Sequence, residues 1–328
     1  MSQASTPRWI DAQEVHRLLD YRRLVQALRK SHRQPMPASE DVCMDEPGAR
    51  SGNNFLLLPA WSGQRMMGVK LLSVFPDNAE ASVPRPTVQG IYAAFDGRTG
   101  TPLFMADGAA LTLRKTAADS ATGLDLLAPN GVSTLLMIGA GDMAGPLIEA
   151  FTQVRPSLTQ VLLWNRTRPR AEALAKQLRA EGIDCQVVTD LDRAVPLADV
   201  ICSATMSQQP LIKGALLKAG AHVNLVGSWR EDMREADDAT MSRGLIYVDS
   251  REVSRHCGEL SQPVANGVIG WSDVRADLFE LCQGHLIQAL AAGQVTVYKN
   301  AGGAHLDLFT AQFLASELGL QQADGGPA

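Results

Sequence analysis

The sequence has no run of about 20 consecutive apolar residues, the length that a helix needs to cross a lipid bilayer. Over 1–11 it also lacks the basic segment followed by an apolar core that is typical of a secretory signal. These two absences argue against a membrane protein and against export. We therefore expect a cytoplasmic protein whose thiols are reduced.

Cysteine is scarce, and no two cysteines stand at a metal-binding spacing. The five residues, an odd number, are scattered at Cys43, Cys185, Cys202, Cys257 and Cys282. This pattern excludes a disulfide framework and a zinc ribbon. The six histidines form no H-E-x-x-H or similar ligand spacing, so we expect no metal site.

An excess of positive charge is absent as well. Lys and Arg number 30 against 35 Asp and Glu, and the formal net charge is −5. This balance does not attract nucleic acid or an acidic membrane surface, so any anion site has to be local. With 45% hydrophobic and 20% charged residues among 328, the chain is typical of a globular protein with about two domains.

The first part of the chain contains a helical segment and then a strand-rich region. Apolar residues at helical spacing predict a helix over 9–32, and a loop rich in Pro, Ser and Glu follows over 34–54. Short aliphatic and aromatic runs separated by Gly, Pro and Asp predict strands over 55–104, with a hairpin turn at 96–100. An Ala-rich segment predicts a further helix over 112–127.

From residue 134 onward, short aliphatic runs alternate with segments of helical length. Strands separated in this way form parallel β-α-β units, so we expect an α/β fold with a doubly wound parallel sheet of the Rossmann type. The predicted strands are 134–138, 161–164, 185–188, 199–204, 222–226 and 245–248.

The first of these strands leads into Gly139-Ala140-Gly141-Asp142-Met143-Ala144. This turn fits the G-x-G-x-x-G/A fingerprint of dinucleotide binding, in the required place between a strand and a predicted helix at 144–154. Gly139 permits the tight turn, Gly141 leaves room for a pyrophosphate, and Ala144 allows close packing of helix against strand. We therefore predict that the whole turn, Asp142 and Met143 included, binds the cofactor at a helix N-terminus.

The end of the next strand indicates which dinucleotide binds. In NADH-binding proteins an acidic residue near this position grips the unphosphorylated ribose, but Asn165 stands there instead. Arg166, Thr167 and Arg168 follow, and they offer positive charge and a hydroxyl donor to a 2′-phosphate. The sequence therefore favours NADPH, with NADH as the less favoured cofactor.

Several separate motifs lie along 55–307. They are Leu57-Leu58-Pro59-Ala60-Trp61, Gly68-Val69-Lys70-Leu71, Pro86-Thr87-Val88, Lys115-Thr116-Ala117-Ala118-Asp119-Ser120, the glycine-rich turn, Trp164-Asn165-Arg166-Thr167, the segment 226–235, and Lys299-Asn300-Ala301-Gly302 with Asp307. On these motifs the chain resembles the ornithine cyclodeaminase/mu-crystallin family.

The resemblance implies a homodimer with two nested domains. A strand-rich α+β domain that binds the substrate and mediates dimerisation is expected over 1–118 and 298–328, with a Rossmann NADP-binding domain inserted over 119–297. Activity on small α-amino or α-imino acids is implied too. Family members include ornithine cyclodeaminases, alanine dehydrogenases, ketimine reductases and opine-type synthases. The reaction therefore has to be inferred from individual positions of this sequence.

Two positions depart from the cyclodeaminase pattern. Trp229 stands where those enzymes carry a catalytic Asp, and an indole cannot exchange a proton with a substrate amine. Leu56 falls where they carry a Glu that receives the distal amine of the substrate. What remains resembles the reductase branch, and we expect NADPH-dependent reduction of Δ1-pyrroline-2-carboxylate to L-proline and of Δ1-piperideine-2-carboxylate to L-pipecolate.

Two alternatives to this reductase stay open. One is a different enzyme, an alanine-type amino-acid dehydrogenase or an ornithine cyclodeaminase. The other is a non-catalytic, NADPH-dependent binding protein, since crystallin-like members of the family bind small ligands.

The resemblance also implies site residues. Lys70 matches the family's substrate-binding lysine, and we predict that it can deliver the proton of the reaction. Lys115 stands where the family usually has an Arg, and it is expected to hold the substrate carboxylate, with Arg114 and Arg50 as weaker candidates. Further positions match residues that line the family's cofactor or substrate cleft: Thr87, Thr205, Leu225, Val226 and Gly227 for the cofactor, and Asn300 and Gly302 for the substrate.

Overall fold

The computed structural model describes residues 6–48, 52–83, 85–284 and 293–320. The chain divides into two compact units, which are nested in sequence. The first unit comprises the chain up to Ser31, Pro35–Lys115 and the chain from Gly303 onward, and the second comprises His32–Gln34 and Thr116–Gly302. Within the described residues, no helix is long and apolar enough to cross a membrane.

The strands of the described residues are, in chain order, β1 (Arg8–Ile10), β2 (Ala38–Ser39), β3 (Val42–Asp45), β4 (Asn54–Ser62), β5 (Met66–Val74), β6 (Val88–Asp96), β7 (Pro102–Asp107), β8 (Thr134–Ile138), β9 (Gln160–Trp164), β10 (Asp184–Val187), β11 (Val200–Ser203), β12 (His222–Leu225), β13 (Leu245–Val248), β14 (Val274–Asp277) and β15 (Thr296–Lys299). The helices are α1 (Ala12–Leu18), α2 (Tyr21–Ser31), α3 (Gly108–Leu127), α4 (Ala144–Val154), α5 (Arg168–Ala180), α6 (Leu191–Ala194), α7 (Asp238–Arg243), α8 (Arg251–Ser254), α9 (Gly258–Ala265), α10 (Leu278–Cys282) and α11 (Ala304–Glu317).

The first unit is built on a mostly antiparallel sheet. Its strand order is β1-β7-β6-β5-β4-β2, with β3 also paired to β4, and only β1 runs parallel to its neighbour. The predicted hairpin is confirmed, because β6 pairs with β7 across a turn in which Asp96 Oδ1 accepts hydrogen bonds from the backbone N–H of Arg98 at 3.0 Å and of Thr99 at 2.7 Å. The prediction of a strand-rich region over 55–104 is likewise confirmed.

Helix α11 covers one face of this sheet. It packs on β4, β5 and α2, and most of its residues are buried, as expected for a helix that is apolar on nearly every side. Along β5 the buried residues alternate, Met66, Gly68 and Lys70, because successive side chains of a strand point to opposite faces. A lysine therefore lies on the covered face of the sheet.

The N-terminal region differs from the prediction. In place of one helix over 9–32 there is a short strand followed by α1 and α2. Two aspartates explain the interruption: Asp11 Oδ1 accepts from Glu14 N at 2.8 Å and Asp20 Oδ1 accepts from Arg23 N at 3.0 Å, so a new helix begins after each. The predicted loop over 34–54 also contains β2 and β3, whose residues are exposed and lack any buried pattern.

The second unit contains a parallel sheet with the order β10-β9-β8-β11-β12-β15-β13-β14. Its core is made of aliphatic residues from the central strands, among them Leu136, Val223 and Val297, which are fully buried. All six predicted strands are present, each within one residue of the predicted bounds. The expected doubly wound fold is confirmed, and β8 leads into the glycine-rich turn at the carboxyl edge of the sheet, where such sheets bind ligands.

Candidate functional site

A buried cluster of charged side chains lies in the first unit. Lys70 comes from β5, Lys115 from α3, and Asp307 from the first turn of α11. Lys70 Nζ lies 2.7 Å from Asp307 Oδ2, and Lys115 Nζ lies 3.6 Å from Asp307 Oδ1. Lys115 Nζ also donates to the carbonyl oxygen of Gly303 at 3.5 Å. Lys70 and Lys115 are each more than 190 positions away from Asp307 in the sequence, yet they share its carboxylate in the fold.

The burial of this cluster is nearly complete. Lys70 and Lys115 are each 4% exposed, and Asp307 is fully buried. Burial lowers the pKa of Lys70, and the neighbouring Lys115 adds to this effect, while the Asp307 carboxylate opposes it. With both ammonium groups protonated, Lys70, Lys115 and Asp307 together carry one net positive charge, and a second carboxyl, that of Asp41, lies in their surroundings.

Two further titratable residues belong to the surroundings of the cluster, and sequence reasoning missed both. Tyr92 on β6 pairs directly with Lys70 across the sheet and is buried, and burial together with Asp307 raises the pKa of its phenol. Asp41 lies between β2 and β3, and burial and Asp307 raise the pKa of its carboxyl while Lys70 and Lys115 lower it. Neither residue stands in a recognisable motif, so only the fold identifies them.

The other predicted substrate residues lie outside this cluster. The guanidinium of Arg114 stacks over the ring of Tyr21 at 4.4 Å, and its Nε lies 3.0 Å from His16 Nδ1. Asn300, in the second unit, donates from Nδ2 to Thr116 O at 3.0 Å and to Ser120 Oγ at 2.9 Å. Gly302 donates its backbone N–H to Asp249 Oδ2 at 2.6 Å. Arg50 lies outside the described residues.

The glycine-rich turn of the second unit has the form that a pyrophosphate requires. Gly139 has a φ of 111°, and a Cβ there would lie 2.6 Å from the carbonyl oxygen of Ala204, so only glycine fits. A Cβ at Gly141 would meet nothing within 4 Å, which leaves open space beside the turn. Helix α4 starts at Ala144, and its N-cap residue, Met143, makes no capping side-chain hydrogen bond. In the first turn of α4, Ala144 N donates to Gly141 O and Leu147 N to Met143 O, each at 3.0 Å, so the open side of the turn and the positive end of the helix are what fit a bound phosphate.

The end of β9 is tied to this turn. Asn165 Oδ1 accepts from Ala140 N at 3.1 Å, and Asn165 Nδ2 donates to Thr167 O at 2.9 Å, so the side chain holds the two loops together. Arg166 and Thr167 are exposed. Arg168 is the first residue of α5 and pairs with Glu172 at 2.7 Å. Of the predicted basic residues, Arg166 is thus the one that extends from the loop itself.

The remaining predicted cofactor residues fall into two places. Thr87 precedes β6 in the first unit, where its carbonyl oxygen accepts from Phe75 N at 2.8 Å. In the second unit, Thr205 follows β11, while Leu225, Val226 and Gly227 lie at the end of β12. Buried Glu235 and Lys299 bind the backbone of these last residues; both stand in the motifs listed above, but no site role was predicted for them. Among the described residues, no group of three or more His, Cys, Asp or Glu side chains is arranged to hold a metal ion.

The chain belongs to the ornithine cyclodeaminase/mu-crystallin family, whose model matches residues 12–319. Among its relatives, a Δ1-pyrroline-2-carboxylate reductase of Paracoccus denitrificans is 38% identical over 313 residues, which cover 95% of this chain and 97% of that protein. Ketimine reductase mu-crystallin of Mus musculus is 34% identical over 260 residues, covering 79% and 78%. The resemblance inferred from the motifs is thereby confirmed.

Solved structures share the fold over nearly the full chain. The Δ1-pyrroline-2-carboxylate reductase of Thermococcus litoralis, determined in complex with NADH and L-proline, has a TM-score of 0.86 at 23% identity and covers 96% of this chain and 99% of its own. The iminosuccinate reductase of Paracoccus denitrificans in complex with NAD⁺ has a TM-score of 0.85 at 25% identity, with coverage of 96% and 98%. At this level of identity the similarity shows that the fold is shared.

Proposed function

We propose that the protein reduces cyclic imino acids with NADPH, converting Δ1-pyrroline-2-carboxylate to L-proline and Δ1-piperideine-2-carboxylate to L-pipecolate. The observation that carries the proposal is the buried cluster in which Lys70 and Lys115 share Asp307. Two buried ammonium groups in one cluster favour binding of an anionic group, and these substrates carry one carboxylate beside the C=N bond. The reductases named among the relatives support the same reaction.

Lys70 and Lys115 have separate tasks in this reaction. Lys115 is held by Asp307 and by the carbonyl oxygen of Gly303, and it stays in place as the partner of the substrate carboxylate. Lys70 is the residue whose pKa burial lowers, so its proton is released more readily than that of an exposed lysine, and it supplies the proton to the ring nitrogen. Asp307 keeps both ammonium groups oriented. The bound nicotinamide supplies the hydride to the C=N carbon.

The preference for NADPH rests on the loop after β9. The loop of residues 165–167 directly after Trp164 contains no acidic side chain. Arg166 and Thr167 are exposed there, and Asn165 ties the loop to the glycine-rich turn. A guanidinium and a hydroxyl suit a 2′-phosphate, while the ribose hydroxyls of NADH would find no carboxylate acceptor there. The solved structures in complex with NADH and with NAD⁺ support a nicotinamide dinucleotide as the cofactor.

We also propose that the protein acts as a homodimer in the cytoplasm. The sheet face opposite α11 presents large apolar side chains, with Trp9 49%, Phe55 41% and Trp61 53% exposed. Strand pairing continues this face across the sheet, since Trp61 pairs with Met67 and Met67 with Phe95. A continuous apolar face of this kind is typical of a protein interface, and a second copy of the same sheet offers a matching surface.

The function is tested by following absorbance at 340 nm during oxidation of NADPH or NADH with the five-membered and the six-membered imino acid. We expect turnover with both rings and faster turnover with NADPH. Ornithine with NAD⁺, and pyruvate with ammonia and NADH, test the cyclodeaminase and the dehydrogenase. NADPH binding without oxidation in any of these reactions would favour a ligand-binding protein and overturn the proposal.

A further inference from the structure

A buried carboxylate binds the backbone at the ends of two neighbouring strands of the second unit. Glu235 Oε1 accepts hydrogen bonds from Ser203 Oγ at 2.5 Å, from Thr205 N at 2.7 Å and from Thr205 Oγ1 at 2.7 Å. Glu235 Oε2 accepts from Gly227 N at 2.8 Å. The carboxylate thus joins the residues that follow β11 to those that follow β12, through their donors.

A buried ammonium binds the acceptors of the same segment. Lys299, at the end of β15, is fully buried, and its Nζ donates to the carbonyl oxygens of Leu225 and Val226 at 3.4 Å each. It donates to Gly227 O and, at 2.9 Å, to Asn300 O as well. An ammonium has three donors, so some of these bonds are shared. All three carbonyl groups of residues 225–227 are therefore oriented toward one charge.

Gly227 is the residue at which the two charges meet. Its N–H binds Glu235 and its C=O binds Lys299, so the peptide groups on both sides of its Cα are held. A Cβ at this position would overlap the carbonyl oxygen of Thr205 and would lie 2.6 Å from Glu235 Cδ. The close approach of the carboxylate thus explains why a glycine stands here.

Stability alone does not account for such a pair. Removing two charges from water costs several kcal/mol per ion, and an apolar pair of similar size is often as stable. Burial and nearby Glu259 raise the pKa of Glu235, while Ser203 and Lys299 lower it. What the pair provides is a defined direction for the C=O groups of residues 225–227 and for the N–H of Gly227.

The strand order places this segment relative to a dinucleotide. β8 carries the glycine-rich turn, and β9, on one side of β8, ends at the loop that contains Arg166. β11 lies on the other side of β8, with β12 beyond it. A cofactor that lies across this edge with its adenosine half over β9 has to place its nicotinamide half over the ends of β11 and β12.

We propose that Glu235 and Lys299 are positioning residues that hold Thr205 and Leu225–Gly227 in the conformation that receives the nicotinamide half of the cofactor. The inference rests on the proposed function as far as the cofactor is concerned. Neither side chain contacts the reacting atoms in this role. They act by fixing the positions of the backbone groups that lie under the nicotinamide ring.

The test uses the double variant E235Q/K299M of the full chain, in which both charges are removed together. We expect its thermal unfolding midpoint to fall, since the Gln amide cannot accept both from Thr205 N and from Gly227 N and Met leaves the carbonyl oxygens of residues 225–227 without a donor, so binding is measured well below that midpoint. Two affinities are measured by calorimetry, one for NADPH and one for 2′-phospho-ADP-ribose, which lacks the nicotinamide. The latter should change less than about twofold, whereas NADPH should bind about tenfold more weakly and kcat should fall by at least the same factor.

A matched control is D199N/K218M. Asp199 also binds backbone N–H groups, those of Ser133 and Thr134, and pairs with Lys218 at 2.5 Å, but at the amino edge of the same sheet. Both affinities and kcat should stay within about twofold of the original values. Should E235Q/K299M fail to fold, E235D keeps the charge on a shorter stem that cannot reach both strand ends, and the same selective loss of NADPH affinity is expected.

Unchanged NADPH affinity and unchanged kcat in a folded E235Q/K299M variant would overturn the inference, because the pair would then serve packing alone. Equal weakening of both ligands would overturn it too. An unaltered protein that binds both ligands but reduces no imino acid contradicts the proposed function and leaves the binding test in force. An unaltered protein that binds neither ligand overturns both.

Discussion

At the scale of single residues, the candidate site depends on one carboxylate that serves two lysines. Asp307 lies 2.7 Å from Lys70 and 3.6 Å from Lys115, and all three side chains are buried. Asp307 by itself does not neutralise two ammonium groups, so a substrate carboxylate can compete with nearby Asp41 for the second one. Lys70 and Lys115 are therefore not interchangeable with neutral residues of the same size.

Replacement of Lys70 by Met removes the proposed proton donor and keeps the length of the side chain. We expect kcat for either imino acid to fall by about 100-fold or more, since general acid catalysis contributes that much, while NADPH affinity stays unchanged. Steady-state kinetics and calorimetric titration measure the two quantities. K30M, at an exposed position of α2, is the control, and a K70M variant with unaltered kcat would contradict the assigned role.

Replacement of Asp307 by Asn tests the shared carboxylate. Two buried ammonium groups then lose their charged partner, and we expect the free energy of unfolding to fall by about 3 to 5 kcal/mol. Urea denaturation at pH 7 measures the change. The double variant K115M/D307N should recover part of this loss, because only one buried ammonium group remains. No recovery would show that the two residues are not coupled.

At the scale of elements, cofactor recognition depends on how a loop and a helix end are joined. The turn before α4 and the loop after β9 come from different β-α units, and Asn165 connects them through Ala140 N and Thr167 O. The turn and the helix could be predicted, because the residues that form them are adjacent in sequence. The role of Asn165 as a connector could not, because its partner Ala140 lies in another loop.

Replacement of Arg166 by Ala removes the exposed guanidinium from the loop after β9. We expect KM for NADPH to rise about tenfold or more, with KM for NADH changed less than about twofold, since only NADPH carries the 2′-phosphate. Parallel assays with the two cofactors measure this ratio. R170A, on α5, provides the control, and an equal change for both cofactors would argue against recognition of the 2′-phosphate.

At the scale of the whole molecule, two features extend beyond the site, an apolar sheet face and buried titratable groups. Trp61 and Met67 are paired on the exposed face of the first unit. In the second unit, His222 is fully buried, with Nδ1 2.8 Å from Thr296 Oγ1. The first feature bears on association of copies, and the second on the pH dependence of folding.

The double variant W61E/M67E places two charges on the apolar face. We expect it to sediment as a monomer at concentrations at which the unaltered protein is a dimer, because burying two unpaired carboxylates is costly. Analytical ultracentrifugation measures the mass. L197E, which alters another exposed apolar residue, in the second unit, should leave the mass unchanged. A W61E/M67E variant that stays dimeric would locate the interface elsewhere.

His222 makes folding sensitive to acid. Burial, aided by Arg155, lowers the pKa of its imidazole to about 3, whereas an unfolded histidine titrates near 6.5. The stability that the neutral ring provides is therefore present above about pH 6.5 and is lost as the pH falls toward 3. Burial has the opposite effect at Asp249, whose pKa is raised to about 6, so its contribution is lost as the pH rises through 6.

Replacement of His222 by Gln separates the pH-dependent contribution of His222 from that of Asp249. Between pH 7 and 4.5, the unaltered protein should lose about 2 kcal/mol more unfolding free energy than the variant, since the variant has no imidazole to protonate on unfolding. Urea denaturation at both pH values measures this difference. H256Q, at an exposed histidine, should follow the unaltered protein. An H222Q variant with the same acid sensitivity would show that another group titrates.

The sequence by itself determined what depends on neighbouring residues: the strand-rich region, the alternation of strands and helices from residue 134 onward, and the turn from Gly139 to Ala144. It also carried the motifs of the family. Periodicity and turn chemistry are local, so they can be read along the chain. Only the tertiary structure decided that Asp307 holds Lys70 and Lys115, and that Glu235 and Lys299 meet at Gly227. Apart from Gly227 and Glu235, these partners are distant in sequence; the fold brings them together, and burial strengthens the interactions between their charges.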